Sequence, residues 1–519
     1  MDETQKPGIR ISRRRLLSGA AAGAALLTAG GATAIVLKER DGAGPSPEAH
    51  ATPTAAPRPD ALATDEARLR HLLRRTTFAA APADVERYRG MPLERVVDAL
   101  LESTATTDTA AEDEIAALAY DKTKPGEVIA TWVARLILTE RPMLEQMVLF
   151  WHGLLTSGLT KVPAPRFFGV MLTQAQFFRD HAFDRLDLLL KGVVRDPAMM
   201  LWLDIQTSTK AHPNENYARE LMELFTLGAG NYTEHDVQES ARAHTGYALE
   251  EKTGFVFRPR QHDDGQKSFL GETGNFDADA IVDIILRQEA APKHFARKLF
   301  EAFAYPQPDP ATIEPIARVA RESGFDTKQV VRAVLTSDAF YSPRAYRAIV
   351  KSPTAFAIGA IRLLGARPDP KLVVQACRQM GQTLFDPPNV AGWPGGRTWL
   401  GTSTWFARVN AAAALMNGGG VGAKQQPGVP GGKGFARGGA FAPADVTAVF
   451  PAPPASADDA IDAAALVTVD GDLSDGARGA LREYLDDGGG FASLPEARRE
   501  ERLRGLLALL FASPEYQLA

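Results

Sequence analysis

From Thr64 onward apolar residues recur three and four positions apart, and this period constrains the fold more than any other feature of the chain. Leu69, Leu72 and Leu73 follow it, as do Leu93, Val96, Val97 and Leu100, and Trp132, Val133, Leu136 and Ile137. Such spacing puts an apolar stripe down one face of an α-helix, and the stripe has to be covered by other helices. Period-two alternation is nearly absent. The exception is Gly254-Phe255-Val256-Phe257-Arg258, followed after a charged turn by Lys267-Ser268-Phe269-Leu270-Gly271, which reads as a short hairpin between helices. The expected fold is therefore all-α: a multi-helical body with a short β-hairpin insertion and a small C-terminal helical return.

Helix punctuation agrees. Pro142 opens a helix running to Leu155, Pro213 opens another ended by Gly228, and Thr233 with Asp236 has the form of a capping box. Residues 417–458 break the pattern, with glycines at 418, 419, 420, 422, 428, 431, 432, 434, 438 and 439 followed by Pro-Ala repeats. That composition offers no apolar face to bury, so a flexible loop is expected there. Residues 459–519 are expected as C-terminal helices packing on a helical domain of residues 64–416. Residues 330–341 and 506–516 echo one another, each an apolar helix, a serine break and an aromatic plug.

A chain of 519 residues that is 45% hydrophobic can build a large core without covalent help. It has to, because Cys377 is the single cysteine, which excludes an intrachain disulfide and any thiolate-rich zinc or iron–sulfur site. Cys377 itself follows an apolar run and reads as a buried helix position. The 58 basic and 63 acidic residues include seven and three in residues 1–40, leaving 51 and 60, a net −9, for residues 41–519. An acidic body excludes nucleic acid as the main partner, since phosphates would meet no basic field.

Ser12-Arg13-Arg14-Arg15-Leu16-Leu17 sets paired arginines before a weakly hydrophobic Ala/Gly/Leu stretch reaching Leu37. This reads as a twin-arginine signal or anchor over residues 1–40, with residues 41–63 a Pro/Ala-rich disordered tether. Small-x-small sites at 32–34, 49–51 and 61–63 leave the cleavage point open. The expected location is extracellular or the cell envelope, with membrane contact only through an uncleaved N-terminal segment.

The run Pro213-Asn214-Glu215-Asn216-Tyr217-Ala218-Arg219-Glu220-Leu221-Met222-Glu223-Leu224-Phe225-Thr226-Leu227-Gly228 resembles the bacterial exported family known as domain of unknown function 1800. Arg70 to Arg75, Phe150-Trp151-His152, Tyr232-Thr233-Glu234, His262 to Lys267, Gly392 to Gly396 and Ala407 to Asn410 resemble it in the same order, so the likeness covers about residues 66–415. The resemblance implies export and a helical fold, and it supplies neither a substrate nor a catalytic residue. Leu154 stands where that family often has a second histidine, and His244 where it commonly has an apolar residue.

Three constellations could carry chemistry. At 100° per residue, Asn216, Glu220 and Glu223 share one helix face, where an amide and two carboxylates suit a divalent cation or acid–base work. The structural alternative pairs Glu215 and Glu223 with Arg219. His152, after Phe150 and Trp151, and His262, in the turn His262-Asp263-Asp264-Gly265, are further candidates as metal ligands, and His262 also as a catalytic group. Each has a plain alternative, a core histidine and a hairpin turn. His244 is expected to face neighbouring helices. Trp393, Arg397 and Trp399, on a glycine-rich segment, would make a stacking surface for a sugar or planar ligand, or a loop clamped by its own indoles. No complete hydrolase or nucleotide-binding motif is present.

Two readings follow. One is a binding or assembly protein of the cell surface, engaging a polysaccharide or a co-exported protein through the Trp393/Trp399 loop and residues 417–458. The other is a metal-dependent or acid–base enzyme built on Glu220 and Glu223. Changing Arg13 and Arg14 together to Lys is expected to hold the protein in the cytoplasm, because lysine lacks the planar guanidinium fork that the route reads. Cell fractionation checks this, and undiminished export of the double variant overturns the targeting assignment.

Overall fold

The computed structural model describes residues 60–251, 254–419 and 441–519. The expected signal, nearly all of the expected tether and half of the glycine-rich stretch lie outside the described residues. Helices dominate, from Asp65–Thr76 to Glu496–Ala512. Two compact units are formed among the described residues, one of 60–362, 367–405 and Ala519, the other of 363–366 and 406–518.

The β-structure differs from expectation in its pairing. Strands β1 (Tyr247–Glu250) and β2 (Gly254–Phe257) form one antiparallel hairpin, and β3 (Lys267–Phe269) and β4 (Glu272–Gly274) form a second. The segments at 254 and 267 do not pair with each other; each joins the strand nearest to it in sequence. Leu270 and Gly271 both have positive φ, the geometry of a two-residue turn of the kind that closes tight hairpins.

In the first unit, the Pro142–Leu154 helix is largely buried. Proline starts it where a missing N–H costs nothing, and Met143, Leu144, Met147, Val148 and Trp151 are buried along it. Glu145 and His152 are buried as well, and their seven-residue spacing puts them on one face, towards Trp132 of the Pro125–Leu138 helix. Trp132 Nε1 donates to Glu145 Oε2 at 3.0 Å, and Arg179 of Val170–Asp180 closes a two-pronged pair on the same carboxylate, Nε to Oε1 at 2.6 Å and Nη2 to Oε2 at 2.9 Å. Burial pushes the Glu145 carboxyl up. The Arg179 guanidinium more than reverses this, with help from Arg135 and the indole N–H, so its pKa falls below the ordinary value.

Beside this pair runs a second buried chain of polar groups. Ser157 Oγ donates to Gln174 Oε1, and Gln174 Nε2 donates to Asp196 Oδ1 at 2.6 Å. The same Asp196 oxygen caps the Pro197–Trp202 helix by accepting from Met199 N. Burial pushes the Asp196 carboxyl up to about 6 in spite of these donors.

In the second unit, Ala457–Val469, Asp475–Asp486 and Glu496–Ala512 pack on one another. Arg408, fully buried, donates to Gln517 Oε1 at 3.1 Å, while Gln517 Nε2 donates to the carbonyls of Phe511 and Ser513. Phe441, Ala444, Val446, Val449 and Phe450 are buried too. Gly419 and Phe441 exchange backbone hydrogen bonds at 3.1 and 3.0 Å. The expected loop is thus corrected at its far end: residues 441–450 carry four large apolar side chains that pack, whereas 420–440 are outside the described residues.

The echo between 330–341 and 506–516 has a physical basis. Each helix ends at a serine whose hydroxyl accepts from the N–H of a buried aromatic three residues on, Phe340 to Ser337 and Tyr516 to Ser513, both at 3.3 Å. Cys377 is buried with Leu372, Val373 and Ala376, as its apolar surroundings imply.

Replacing Arg179 with Met leaves Glu145 charged and unpaired in the core, so destabilisation of about 3–5 kcal/mol is expected at neutral pH. The folded pKa of Glu145 is depressed. Its contribution is therefore complete above the unfolded value of about 4.3 and is lost as pH falls from there through the lower folded value. Urea unfolding of wild type and variant should show a gap that closes on strong acidification; a small gap at pH 7, or one that does not narrow as the carboxyl is titrated, contradicts this.

Candidate functional site

The run from Pro213 to Gly228 is not one α-helix. Asn216–Glu220 is α-helical, and Leu221–Thr226 winds as a π-turn, with hydrogen bonds reaching back five residues. Leu221, Met222, Phe225 and Thr226 are buried, and the wider turn brings residues four apart closer to eclipse than an α-turn does, which narrows the buried face. Thr226 Oγ1 donates to the Leu221 carbonyl, and His294 Nε2 donates to the Leu224 carbonyl at 3.0 Å.

Glu220 and Glu223 lie across this α-to-π junction, both half-buried, in different surroundings. Glu223 Oε2 accepts from the Tyr232 hydroxyl at 2.8 Å, and Tyr232 is pushed up to about 12 by its burial and by that bond. Glu220 has no hydrogen bond or ion pair among the described residues. Its pKa is raised, first by burial and then by the charge of Glu223, with Arg219 opposing. Arg219 is engaged elsewhere: it holds Glu234 in a two-pronged pair at 2.7 and 2.8 Å and Glu215 at 3.1 Å. The expected partnership with Glu215 is present. The one with Glu223 is not, because the Glu234 fork and the Tyr232 hydroxyl satisfy the two groups separately.

Tyr232 and Glu234 thus both fasten the segment that carries the carboxylates, which gives the motif Tyr232-Thr233-Glu234 its role. Between them Thr233 caps the Glu234–Ala243 helix in a complete capping box with Asp236. Asn216, exposed, reaches Asp204 rather than the glutamates, Nδ2 to Oδ2 at 3.4 Å. Behind the segment, His244 is buried against Tyr217 with ring centroids 5.0 Å apart, and its Nδ1 donates to the Ser240 carbonyl at 2.7 Å. Burial lowers its pKa to about 4, so it is a neutral core residue, as its helical spacing implied.

The structure does not gather the candidate metal ligands. No group of three or more His, Cys, Asp or Glu side chains suited to a metal ion occurs among the described residues. His152 sits among Trp132, Phe385 and Trp393, with centroids 5.2, 5.3 and 5.5 Å away, and its Nε2 accepts from Phe385 N at 3.2 Å. Burial draws its pKa down to about 3. His262 Nδ1 bonds the Thr245 carbonyl at 2.8 Å, with Phe257 edge-on at 5.3 Å. The turn after it is locked internally. Arg242 grips Asp263 through Nε at 2.7 Å and Nη2 at 3.1 Å, holding its carboxyl down at about 2, and the buried Lys267 ammonium donates to the carbonyls of Asp263 and Gly265.

The aromatic loop rests on the His152 cluster. Gly392, at φ +79°, lies so close to the end of the Pro142–Leu154 helix that an added Cβ would fall 2.7 Å from the Gly153 carbonyl oxygen, so only glycine fits. Thr156 Oγ1 donates to the Val390 carbonyl at 2.6 Å on the same edge. Trp393 packs over His152, and the chain turns through Gly395 and Gly396 into the short helical turn Gly396–Leu400. Trp393 and Trp399 remain half-buried and Arg397 is exposed, with no ion pair among the described residues.

The family described as Protein of unknown function (DUF1800) matches residues 71–518. The chain belongs to that family. The match begins inside the Arg70–Arg75 run and continues past residue 415, through the glycine-rich stretch and the C-terminal helices. No curated protein and no solved structure matches the chain. Among the described residues no helix is long and apolar enough to cross a membrane.

The raised pKa of Glu220 has a definite sign in this DUF1800 chain. The native state holds that proton more tightly than the unfolded state, so the ionised carboxyl weakens the fold once pH exceeds the unfolded value of about 4.3 and passes the folded one. Glu220→Gln should therefore gain stability relative to wild type as pH rises from 4 to 7, by less than about 1 kcal/mol because the group is half-exposed. Paired unfolding curves at the two pH values check this; a variant that loses ground with rising pH refutes the assignment.

Proposed function

We propose that the protein is an extracytoplasmic binding protein of the cell surface, exported by the twin-arginine route, and that Trp393, Arg397 and Trp399 form its contact with a polysaccharide. One observation carries this reading: two half-exposed indoles and an exposed guanidinium without an ion pair among the described residues stand on a loop seated on the core by Gly392 and by the packing of Trp393 on His152. Pyranose rings present flat C–H faces to indoles, and an exposed arginine donates to hydroxyl or carboxylate groups. A platform already ordered loses little freedom on binding. The acidic charge of residues 41–519 fits a neutral glycan better than a polyanion.

A second reading has its own observation. Glu220 and Glu223 are neighbouring carboxylates in unlike environments, one with a raised pKa and no hydrogen bond or ion pair among the described residues, the other accepting from Tyr232, an arrangement that suits acid–base work. A divalent cation would require donors beyond these two.

One experiment addresses both. Tryptophan fluorescence titrated with soluble cell-wall oligosaccharides should saturate for the wild type, and Trp399→Ala should weaken binding roughly five- to tenfold, equivalent to about 1 kcal/mol of lost stacking. Mass spectrometry of the same mixtures, with and without added Ca²⁺ or Mn²⁺, reads turnover. Binding without cleavage supports the first reading, and cleavage abolished by Glu220→Gln replaces it with the second. An unchanged affinity in Trp399→Ala overturns the platform.

A further inference from the structure

A cleft of about 390 Å³ opens beside the end of the π-turn, between that turn and the Ala290–Phe303 helix. Leu227 and Ala290 give it an apolar part, while Asn231, Lys293, His294 and Arg297 line the rest, with Glu289 at the edge. Lys293 and Glu289 neutralise one another at 2.7 Å. Arg297 has no carboxylate partner among the described residues, and the hydrogen bond it makes is a long one, Nη1 to the Pro308 carbonyl at 3.3 Å. His294 donates through Nε2 to the Leu224 carbonyl and lies against Gly228, whose φ of +82° and lack of a side chain admit the ring; a Cβ there would be 3.1 Å from Nδ1. Burial lowers its pKa to about 4, so the ring is neutral. Two cations and one anion leave the lining with a net charge of +1, inside a body whose residues 41–519 carry −9.

We infer that this cleft binds a small organic monoanion of the carboxylate class, with the carboxylate on the Arg297 guanidinium and the apolar remainder against Leu227 and Ala290. The planar fork of arginine matches a carboxylate. The volume suits a ligand of metabolite size. Glu289 discriminates by charge: a monoanion balances the lining, whereas a dianion such as inorganic phosphate also meets the Glu289 carboxylate. The inference is independent of the aromatic loop and of the Glu220/Glu223 pair, so it stands or falls separately from the proposed function.

Ligand-observed NMR of the full chain at pH 8 and constant ionic strength tests it, with benzoate as the monoanion and inorganic phosphate, mainly dianionic at that pH, as the comparison. Benzoate should bind saturably and phosphate should not. Arg297→Gln should weaken benzoate binding about tenfold or more, while Arg378→Gln, exposed on the Pro370–Gln379 helix, should leave it within about twofold. Glu289→Gln raises the lining charge to +2, so it should tighten benzoate binding about threefold or more and admit phosphate. That gain keeps the inference open to refutation if Arg297→Gln fails to fold. Non-saturable benzoate signals in the wild type, equal binding by Arg297→Gln, or no gain in Glu289→Gln would each overturn it.

Discussion

The side chain of Trp132 is the point from which the larger unit is organised. Its N–H is the third donor on Glu145, added to the two that Arg179 supplies to the two carboxylate oxygens, and helps hold the charge of this pair away from water. Its ring stacks on Phe385 at 4.8 Å and stands edge-on to His152. Phe385, in a left-handed backbone conformation, then donates its N–H to His152 and its carbonyl accepts from Leu159. A polar network of this kind is stable only when nearly complete. The Trp132 ring therefore links the ion pair inside the helices to the loop that carries Trp393, and the position of that loop follows from the core.

The 213–234 region is arranged on the opposite principle. Its fastening is near the surface and its groups are satisfied in separate pairs: Arg219 with Glu234, Glu223 with Tyr232, Asp236 with Thr233. Surface pairs contribute little each. The π-turn is held instead by its buried side chains and by Thr226 and His294, which take two of its carbonyls. The result is a backbone fastened on both sides with one carboxyl, Glu220, left without a partner among the described residues. At Glu145 the core satisfies a buried carboxylate completely; here a half-buried one, within reach of solvent, has no partner among the described residues.

Features set by nearest neighbours were legible in the sequence. The proline that starts Pro142–Leu154, the Thr233/Asp236 capping box, the burial of Cys377 and the serine-terminated echo all depend on residues within one or two turns. The Glu215–Arg219 pair was legible for the same reason. The π-turn was not, because a 100° wheel assumes the winding it is meant to test. Strand pairing was misread because Leu270-Gly271 lacks the Asn-Gly or Asp-Gly signature while adopting the same positive φ angles. The packing of 441–450 was hidden by the glycines before it, which dominate any average taken over the whole stretch. Glu145 and Arg179 are 34 residues apart, and His152 and Phe385 are 233 apart; local pattern carries no information on such partners.

Those long separations bear on how a chain with a single cysteine holds together. A disulfide would stabilise by closing a long loop in the unfolded state. This chain closes its long loops in the folded state, with buried polar contacts at His152–Phe385, Arg75–Ala345 and His71–Phe340, the last two joining residues 270 and 269 apart. Hydrogen bonds to buried groups add little net stability once made and are costly to leave unmade, so these contacts select the native arrangement more than they strengthen it. The strength must come from the apolar core, which is complete only when the helices have packed. No oxidation step is needed for any of this to form. A chain so built can reach its final fold in the cytoplasm, which is the condition that the proposed twin-arginine route places on its cargo.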